Sequence, residues 1–314
     1  RIDMSGDNDK MSTDQRATVG ATWGGSDWGI HVSSDVNYTL GSDDPIGMSI
    51  YEAYASADLM GYASVTAGRQ AINNGSGALM SSNDWGADRN TWDGMSFGLS
   101  FTDMADLSLG YHSNNGGALD EESTGNMWIN AGGEFSGWNV NVLYMTDEAS
   151  DDAATGIDIS GEVMGAGISA SMNTDFGGNT MRVIGLSYSV NDIGLNVGQT
   201  VYDGDAAFGT NLNGNMGADA SSWGTHGNMG HLGSGDEMLS YGLTYEMAGV
   251  SMAATMRNAT NPDNDDTRDV MEISLGYSLG DNAGLSLMYA TDDNTTGGVD
   301  GENTYMYLTL TVTP

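Results

Sequence analysis

Apolar and polar residues alternate with a period of two along most of this chain. The rhythm is clear in residues 95–101, where Ser and Gly separate Met, Phe and Leu, and it recurs in 138–144, 239–245 and 306–312. Successive side chains of a β-strand point to opposite faces of the sheet, so this period predicts strands with one apolar and one polar face. Long stretches with helical spacing are missing from the sequence, which therefore predicts an all-β protein.

The links between these strands alternate between short and long. The short links are 24–27, 60–61, 104–106, 136–137, 165, 191–192, 248–249 and 280–282. The long, polar links are 7–14, 41–44, 71–91, 113–124, 147–152, 173–179, 203–235, 258–266 and 291–301. This alternation predicts about eighteen antiparallel strands, with sixteen as the alternative, and both termini on the short-turn side.

The apolar face of these strands suits contact with lipid rather than a buried core. The apolar residues are too small to fill the interior of so wide a soluble barrel, whereas small polar residues can line a water-filled barrel. An open sheet would leave unpaired amides in lipid, so the sheet must close. We therefore predict one domain, 1–314, that is a transmembrane antiparallel up-and-down β-barrel.

Aromatic residues on the apolar parity support a membrane. Trp23, Trp28, Phe101, Trp138, Tyr188, Tyr245 and Tyr277 lie beside short turns, and Tyr111, Tyr144 and Tyr289 lie beside long links. Aromatic side chains concentrate at the two interfaces of a membrane with water. The two groups thus predict two belts, one at each end of the strands.

Composition narrows the function further. The chain has 43 Asp and Glu against 8 Lys and Arg, a net charge of −35, which argues against a nucleic-acid partner because phosphate contacts need clustered basic residues. Its 47 glycines are about twice the average share and disfavour helices. Cysteine is missing, which fits several compartments. Because Arg1 opens the chain without an apolar leader, we expect a mature product.

Three short motifs occur in order around the third long link. Residues 65–70 end in Gly-Arg-Gln, 83–86 contain Asp-Trp, and 89–94 read Arg-Asn-Thr-Trp-Asp-Gly. In these motifs the chain resembles bacterial outer-membrane porins, in particular the alginate-export-like family. The resemblance implies an eighteen-stranded monomeric barrel in the bacterial outer membrane, with links that fold inward. It does not imply an alginate substrate, because that family uses an arginine-rich lumen and this chain has few basic residues.

Link 71–91 is too long for a simple turn, and links of this length usually serve a function. The resemblance to porins makes it the candidate constriction loop, with Arg69, Asp84, Asp88 and Arg89 facing the narrowest point. The alternative is that Arg69 and Arg89 pair with Asp84, Asp88 or Asp93 and only fix the loop in place.

Further charged residues fall on the polar parity of the strands and should line the lumen. These are Arg16, Glu52, Asp58, Asp158, Glu162, Glu246, Arg257, Arg268 and Glu272. Charged groups around a water-filled pore set its ion preference, and acids outnumber bases here, so we predict a preference for cations. The alternative is that these charges are simply solvated and select nothing.

The acidic links raise the question of a metal. Carboxylates at Asp263, Asp265 and Asp266 could contribute to a Ca²⁺ site, although their spacing is not that of an EF-hand. The sequence indicates no other cofactor, and we interpret His226 and His231 as ordinary loop residues.

The sequence as a whole predicts a porin that lets small polar solutes or ions diffuse passively, and not an enzyme. The alternative is a structural or adhesive barrel that binds a surface layer or a partner through its acidic links. The expected surroundings are outer-membrane lipid and lipopolysaccharide, and the expected state is a monomer or a homotrimer.

Overall fold

The computed structural model describes residues 1–5, 11–43, 46–82, 89, 91–102, 105–113, 125–148, 150–209 and 232–313. Its strands, in chain order, are β1 Ile2–Asp3, β2 Ser12–Gly24, β3 Trp28–Thr39, β4 Gly47–Asp58, β5 Ser64–Gln70, β6 Trp92–Thr102, β7 Ala105–Ser113, β8 Gly125–Phe135, β9 Trp138–Asp147, β10 Ala153–Val163, β11 Ala166–Thr174, β12 Thr180–Val190, β13 Ile193–Asp203, β14 Glu237–Met247, β15 Val250–Thr260, β16 Thr267–Gly280, β17 Ala283–Thr296 and β18 Val299–Val312. Within these ranges no helix is long and apolar enough to cross a membrane.

The strands form one antiparallel sheet that closes on itself. From β2 to β18 each strand pairs with the next in the chain, and β1 pairs with both β18 and β2. The prediction of an all-β, up-and-down barrel with eighteen strands is confirmed. The alternative of sixteen strands is wrong.

Tight turns at one end of the barrel follow directly from the sequence. Ser136–Gly137 has φ angles of 54° and 81°, and Ala248–Gly249 has 52° and 80°. Two residues with positive φ are typical of the hairpin turn whose twist matches the flanking strands, and glycine at the second position adopts it without strain.

The last hairpin differs from the prediction. Residues 291–301 are polar and were expected to form a long link, but β17 and β18 continue through them and join at Gly297–Gly298, with φ of 57° and 79°. The register runs without a break from Tyr289↔Met306 to Thr296↔Val299. Backbone pairing therefore outweighs side-chain polarity here, and the hairpin extends beyond the apolar part of the sheet.

The register places apolar residues on the outer face. Leu243 pairs through Ala254 with Ile273, and Ile273 pairs with Tyr289, so the four lie in one row across four strands. Their large members remain 39–49% exposed although they lie in the middle of a sheet. An apolar surface that stays accessible in a closed barrel is the surface that lipid covers in membrane barrels.

The inner face is less uniformly polar than the sequence predicted. Near the long links it carries a cluster of buried apolar side chains, among them Trp92, Trp128, Leu143 and Met145. The expectation that polar residues alone line the interior is therefore wrong for this part of the wall.

Candidate functional site

Residues 71–82, the described part of the third long link, form a compact loop held by their own backbone. The Asn74 amide donates to the Met80 carbonyl at 3.1 Å, and the Gly77 amide donates to the Asn74 carbonyl at 3.0 Å. The Asn73 side chain accepts from the Ser82 amide at 2.8 Å. We call residues 71–82 the inward segment, because its side chains pack on the inner wall.

Two apolar residues attach the inward segment to that wall. Leu79 is 1% exposed and Met80 0%, and both belong to the cluster formed by Trp92, Trp128 and other inner-face residues. Burial of a side chain of this size contributes about 1.5–3 kcal/mol relative to exposure. The apolar inner wall thus has a local purpose, since it gives the segment a dry surface on which to pack.

The tip of the inward segment touches the wall farther around the barrel. Gly75 has a φ of 57°, and a Cβ there would lie 2.0 Å from Oδ2 of Asp158 on β10. The Ser171 hydroxyl donates to Ser76 Oγ at 3.3 Å, and the Asn173 amide donates to the same oxygen at 3.4 Å. The segment therefore reaches from β5 and β6 as far as β10 and β11.

An acidic recess lies beneath this tip. It has a volume of about 690 Å³, and Gly75 and Ser76 form part of its wall. Its carboxylates come from Asp106, Glu134 and Asp158. The tip therefore borders a space large enough for many water molecules, lined in part by carboxylates.

Arg89 lies against β2, β3 and β4, which contribute no residue to the apolar cluster among the described residues. Its guanidinium donates from Nε to Asp35 Oδ2 at 2.8 Å, from Nη2 to Asp35 Oδ1, and from Nη2 to Thr18 Oγ1 at 2.8 Å. It also lies 3.4 Å from the ring centre of Tyr51. A register shift opposite Ser33 and Ser34 leaves one extra residue on β4, and Tyr51 is that residue. Arg89 is thus held by β2, β3 and β4 together.

Arg69 does not face the lumen, and that prediction is wrong. It pairs in register with Asp93, next to the row in which Ala67 pairs with Met95, so it shares the outer face with those apolar residues. Its Nε donates to Asp93 Oδ1 at 2.8 Å and its Nη2 to Oδ2 at 2.6 Å. The pair lies on the outer surface near the long links, and its side chains are about two-fifths exposed. The prediction was wrong because it relied on the resemblance to porins and not on the alternation of the strand, which places Arg69 outside.

The other predicted arginines lie on the inner face of β2, β15 and β16. Arg268 binds the buried Asp292 through two parallel bonds of 2.9 and 2.7 Å. Arg257 lies diagonally across the register from Glu272, which pairs with Thr255 and is 6% exposed. Arg16 pairs in register with Asn37.

Glu52 takes part in fixing the inward segment, because its carboxylate accepts from the Ala71 amide at 3.1 Å. It also lies 3.5 Å from His31 on the neighbouring strand. Glu52 therefore lies where β4 meets the start of the segment.

The inner carboxylates near the short turns have a different environment. Four carboxylates point to the inner face within a few residues of a short link: those of Asp106, Glu134, Glu162 and Glu246. Of the eight basic residues in the sequence, none lies in these stretches of strand. The charge of the inner wall is thus mixed near the long links and acidic near the short turns.

Two predicted groups stay predictions. Asp84 and Asp88 lie outside the described residues, as does the Asp-Trp motif of residues 83–86. Within the described ranges, no three acidic or histidine side chains come together as metal ligands. Binding of Ca²⁺ by Asp263, Asp265 and Asp266 stays a prediction. Asp266 accepts from the Gly297 amide at 2.8 Å, and so joins two neighbouring links.

Sequence reasoning missed the residues that fix the inward segment. Leu79 and Met80 are an apolar pair within a polar link, and that contrast was the available signal. Asp35 and Arg89 are 54 positions apart, and nothing in the sequence connects them.

Comparison with known proteins agrees with this geometry. No protein-family model matches the chain, and no curated protein matches its sequence. Solved structures do match. Acinetobacter baumannii OccAB1 is 11% identical with a TM-score of 0.72, over 99% of this chain and 93% of that one. Pseudomonas aeruginosa OccK8 (OprE) is 11% identical with a TM-score of 0.71, over 99% and 96%.

The outer membrane protein OpdK of Pseudomonas aeruginosa is also 11% identical, with a TM-score of 0.69, over 98% of this chain and 96% of that one. These similar proteins are Occ and Opd porins of the outer membrane, whereas the resemblance to the alginate-export-like family is not shown. At such low identity the match concerns architecture, and the chain has the eighteen-stranded fold of these porins.

Proposed function

We propose that this protein is a porin of a bacterial outer membrane, through which small polar solutes or ions diffuse passively, with a preference for cations. The observation that carries the proposal is the pairing of an apolar outer face with an inner face that holds its charged side chains around a lumen. A passive channel needs no catalytic group and no cofactor. We place the long links outside the cell and the short turns in the periplasm, because known outer-membrane barrels have this orientation.

The inward segment defines the route that we propose for solutes. Its apolar packing excludes water from the wall near β8–β10, so solutes would pass on the other side of the segment, along β16–β4. There they meet Arg89 and Arg268, whose charges are each matched by a bidentate carboxylate. An arginine paired with a carboxylate orients nearby water and polar solutes, but the two charges largely cancel and so contribute little to ion selectivity.

The acidic end of the lumen supports the cation preference. Glu134, Glu162 and Glu246 lie there without a basic residue on the same stretches of strand. A ring of carboxylates raises the local concentration of cations and lowers that of anions. Small cationic or neutral polar solutes are therefore the class that we expect to pass most easily.

Conductance of the purified protein in planar lipid bilayers tests this function. We expect discrete open-channel steps and, under a KCl gradient, a reversal potential shifted toward the value for cations. Silent insertion would contradict a pore and favour the structural or adhesive barrel. A reversal potential shifted toward anions would contradict the cation preference alone.

A charge-matched pair of variants sharpens the test. Glu134→Gln, Glu162→Gln and Glu246→Gln together should reduce cation preference, because they neutralise the acidic end of the lumen. The control is Asp269→Asn, Asp293→Asn and Glu302→Gln, which removes the same charge from one row of the outer face. Equal effects of the two triple variants would show that net charge rather than lumen position sets the preference.

Outer-membrane lipid and lipopolysaccharide would then surround the outer face. Whether the barrel is a monomer or a homotrimer stays a prediction, which the mass of the protein–detergent complex decides.

A further inference from the structure

A histidine is buried in the wall that holds the inward segment. His112 lies on the inner face of β7, one residue before the strand ends, and is 3% exposed. Its ring meets the ring of Trp92 edge to face, with 4.5 Å between the ring centres. Trp92 belongs to the apolar cluster that also contains Leu79 and Met80. His112 is thus one contact away from the residues that attach the inward segment.

The two ring nitrogens of His112 are closed to solvent, and neither has a hydrogen bond of normal geometry within the described chain. The polar side chain opposite the ring is that of Asn126, which pairs in register with His112 from β8. Its amide nitrogen donates to the Thr146 carbonyl at 3.2 Å. Buried polar groups without partners are rare in folded proteins. His112 is therefore buried as a neutral ring, because a charged ring would need solvent or an opposite charge.

The carboxylates on the surrounding elements lie elsewhere. Asp93 of β6 faces outward, where it pairs with an arginine. Asp147 is in register with the β8 asparagine from β9, so it lies two strand spacings, about 10 Å, from His112. Glu148 accepts from the first amide of β8 at 3.1 Å. Residues 71–82 of the inward segment include no charged side chain. A protonated His112 would thus have no carboxylate beside it in the part of the chain that the structure describes.

We propose that protonation of His112 loosens the inward segment, so that acid changes the pore reversibly. A charged imidazole is unstable in an apolar cluster, whereas a ring that water can reach binds the proton readily. Acid therefore shifts the population from the packed segment toward a loosened one. Opening the contact between His112 and Trp92 disturbs the surface on which Leu79 and Met80 pack.

The size of the effect follows from the coupling of proton binding to opening. An exposed histidine gains its proton at about pH 6.5. Below that pH the loosened state gains up to about tenfold over the packed state for each further pH unit, because the proton binds to the loosened state. Between pH 7.5 and pH 4.5 the loosened population should therefore increase by about 10- to 100-fold. The effect on current rests on the proposed function, whereas the loosening of the segment does not.

Hydrogen exchange tests the loosening without any current. The amides of Asn74 and Gly77 are bonded inside the inward segment, so their exchange reports its opening. The parent is compared with His112→Phe, which keeps a buried ring beside Trp92 but cannot be protonated, at the same pH. We expect the ratio of the parent's exchange rate to that of the variant to increase by about tenfold or more between pH 7.5 and pH 4.5.

His112→Gln, which is polar but does not titrate, should behave like His112→Phe. A ratio that does not change with pH in either comparison would overturn the proposal.

Single-channel recording measures the consequence for the pore. Acidification from pH 7.5 to pH 4.5 should make the parent's currents larger and noisier, and neutralisation should restore them. The two His112 variants should keep their neutral-pH currents at pH 4.5. The matched control is His31→Gln, because His31 is a second described histidine and lies 3.5 Å from Glu52, which binds the start of the segment.

His31→Gln should respond to acid as the parent does. A response that is lost in His31→Gln and kept in His112→Phe would overturn the proposal and assign acid sensing to the start of the segment. A protein that inserts without current but shows the expected change in exchange ratio would support this inference while contradicting the proposed function.

Discussion

The two sides of the lumen wall near the long links are built in opposite ways. On the side of β6–β13, buried apolar side chains pack with Leu79 and Met80. On the side of β16–β4, charged groups pair across strands, as Arg89 does with Asp35 and Arg268 with Asp292. The comparison teaches that one part of the wall holds the inward segment by apolar packing, while the other part carries charges that are paired in place. The sequence pattern predicted only the second kind of wall.

The largest effect should come from the charged side. Asp35→Ala leaves the guanidinium of Arg89, whose side chain is 11% exposed, without its carboxylate. Breaking one partner of a buried pair costs about 3–5 kcal/mol. Urea unfolding of the barrel in detergent measures the loss, and a change below about 1 kcal/mol, typical of exposed pairs, would show that solvent or another residue replaces Asp35.

The apolar side should respond almost as strongly. Leu79→Ala opens a cavity under the inward segment, which we expect to destabilise the protein by about 3 kcal/mol and to make single-channel currents larger and noisier. Leu40→Ala is the matched control, because Leu40 lies in another long link and is 54% exposed. Unchanged current steps in Leu79→Ala would mean that the apolar contact does not position the segment.

A smaller effect should follow from the tip of the segment. Gly75→Ala places a methyl group against the Asp158 carboxylate at a residue with positive φ, and we expect a cost of about 1–2 kcal/mol together with altered conductance. Gly178→Ala separates the two causes, because Gly178 has a φ of 81° and open space where its Cβ would lie. If both variants conduct like the parent, contact of the tip with Asp158 does not shape the pore.

The smallest effect should come from the outer ion pair. Asp93→Asn removes one partner of Arg69, but both side chains are more than a third exposed, so the cost should stay below about 1 kcal/mol. Ion selectivity should not change, because the pair lies outside the lumen. A shift in reversal potential equal to that of the lumen variants would contradict the outward placement of Arg69.

Particular residues show how far sequence reasoning reached. The pair Ser136–Gly137 and the apolar row through Leu243 and Ile273 follow from local rules, since turn residues and strand parity act over a few positions. The same parity, applied to Val65, Ala67 and Arg69, would have placed Arg69 outside. That error came from weighting a motif above the period of the strand.

Other features depend on contacts between distant parts of the chain. Arg89 meets Asp35 only because the barrel brings the end of the third long link back over β3, and Tyr51 turns inward only because β4 carries an extra residue. Residues 291–301 have the composition of a loop, yet they extend a hairpin because pairing with the neighbouring strand satisfies their backbone groups.

The sequence by itself determined the strands, their number and their two faces, because each of these depends on neighbours within a few positions. Only the tertiary structure decided which part of the inner wall is apolar and which carboxylates bind Arg89 and Arg268. Those outcomes depend on closure of the barrel, which brings together residues that share no local pattern.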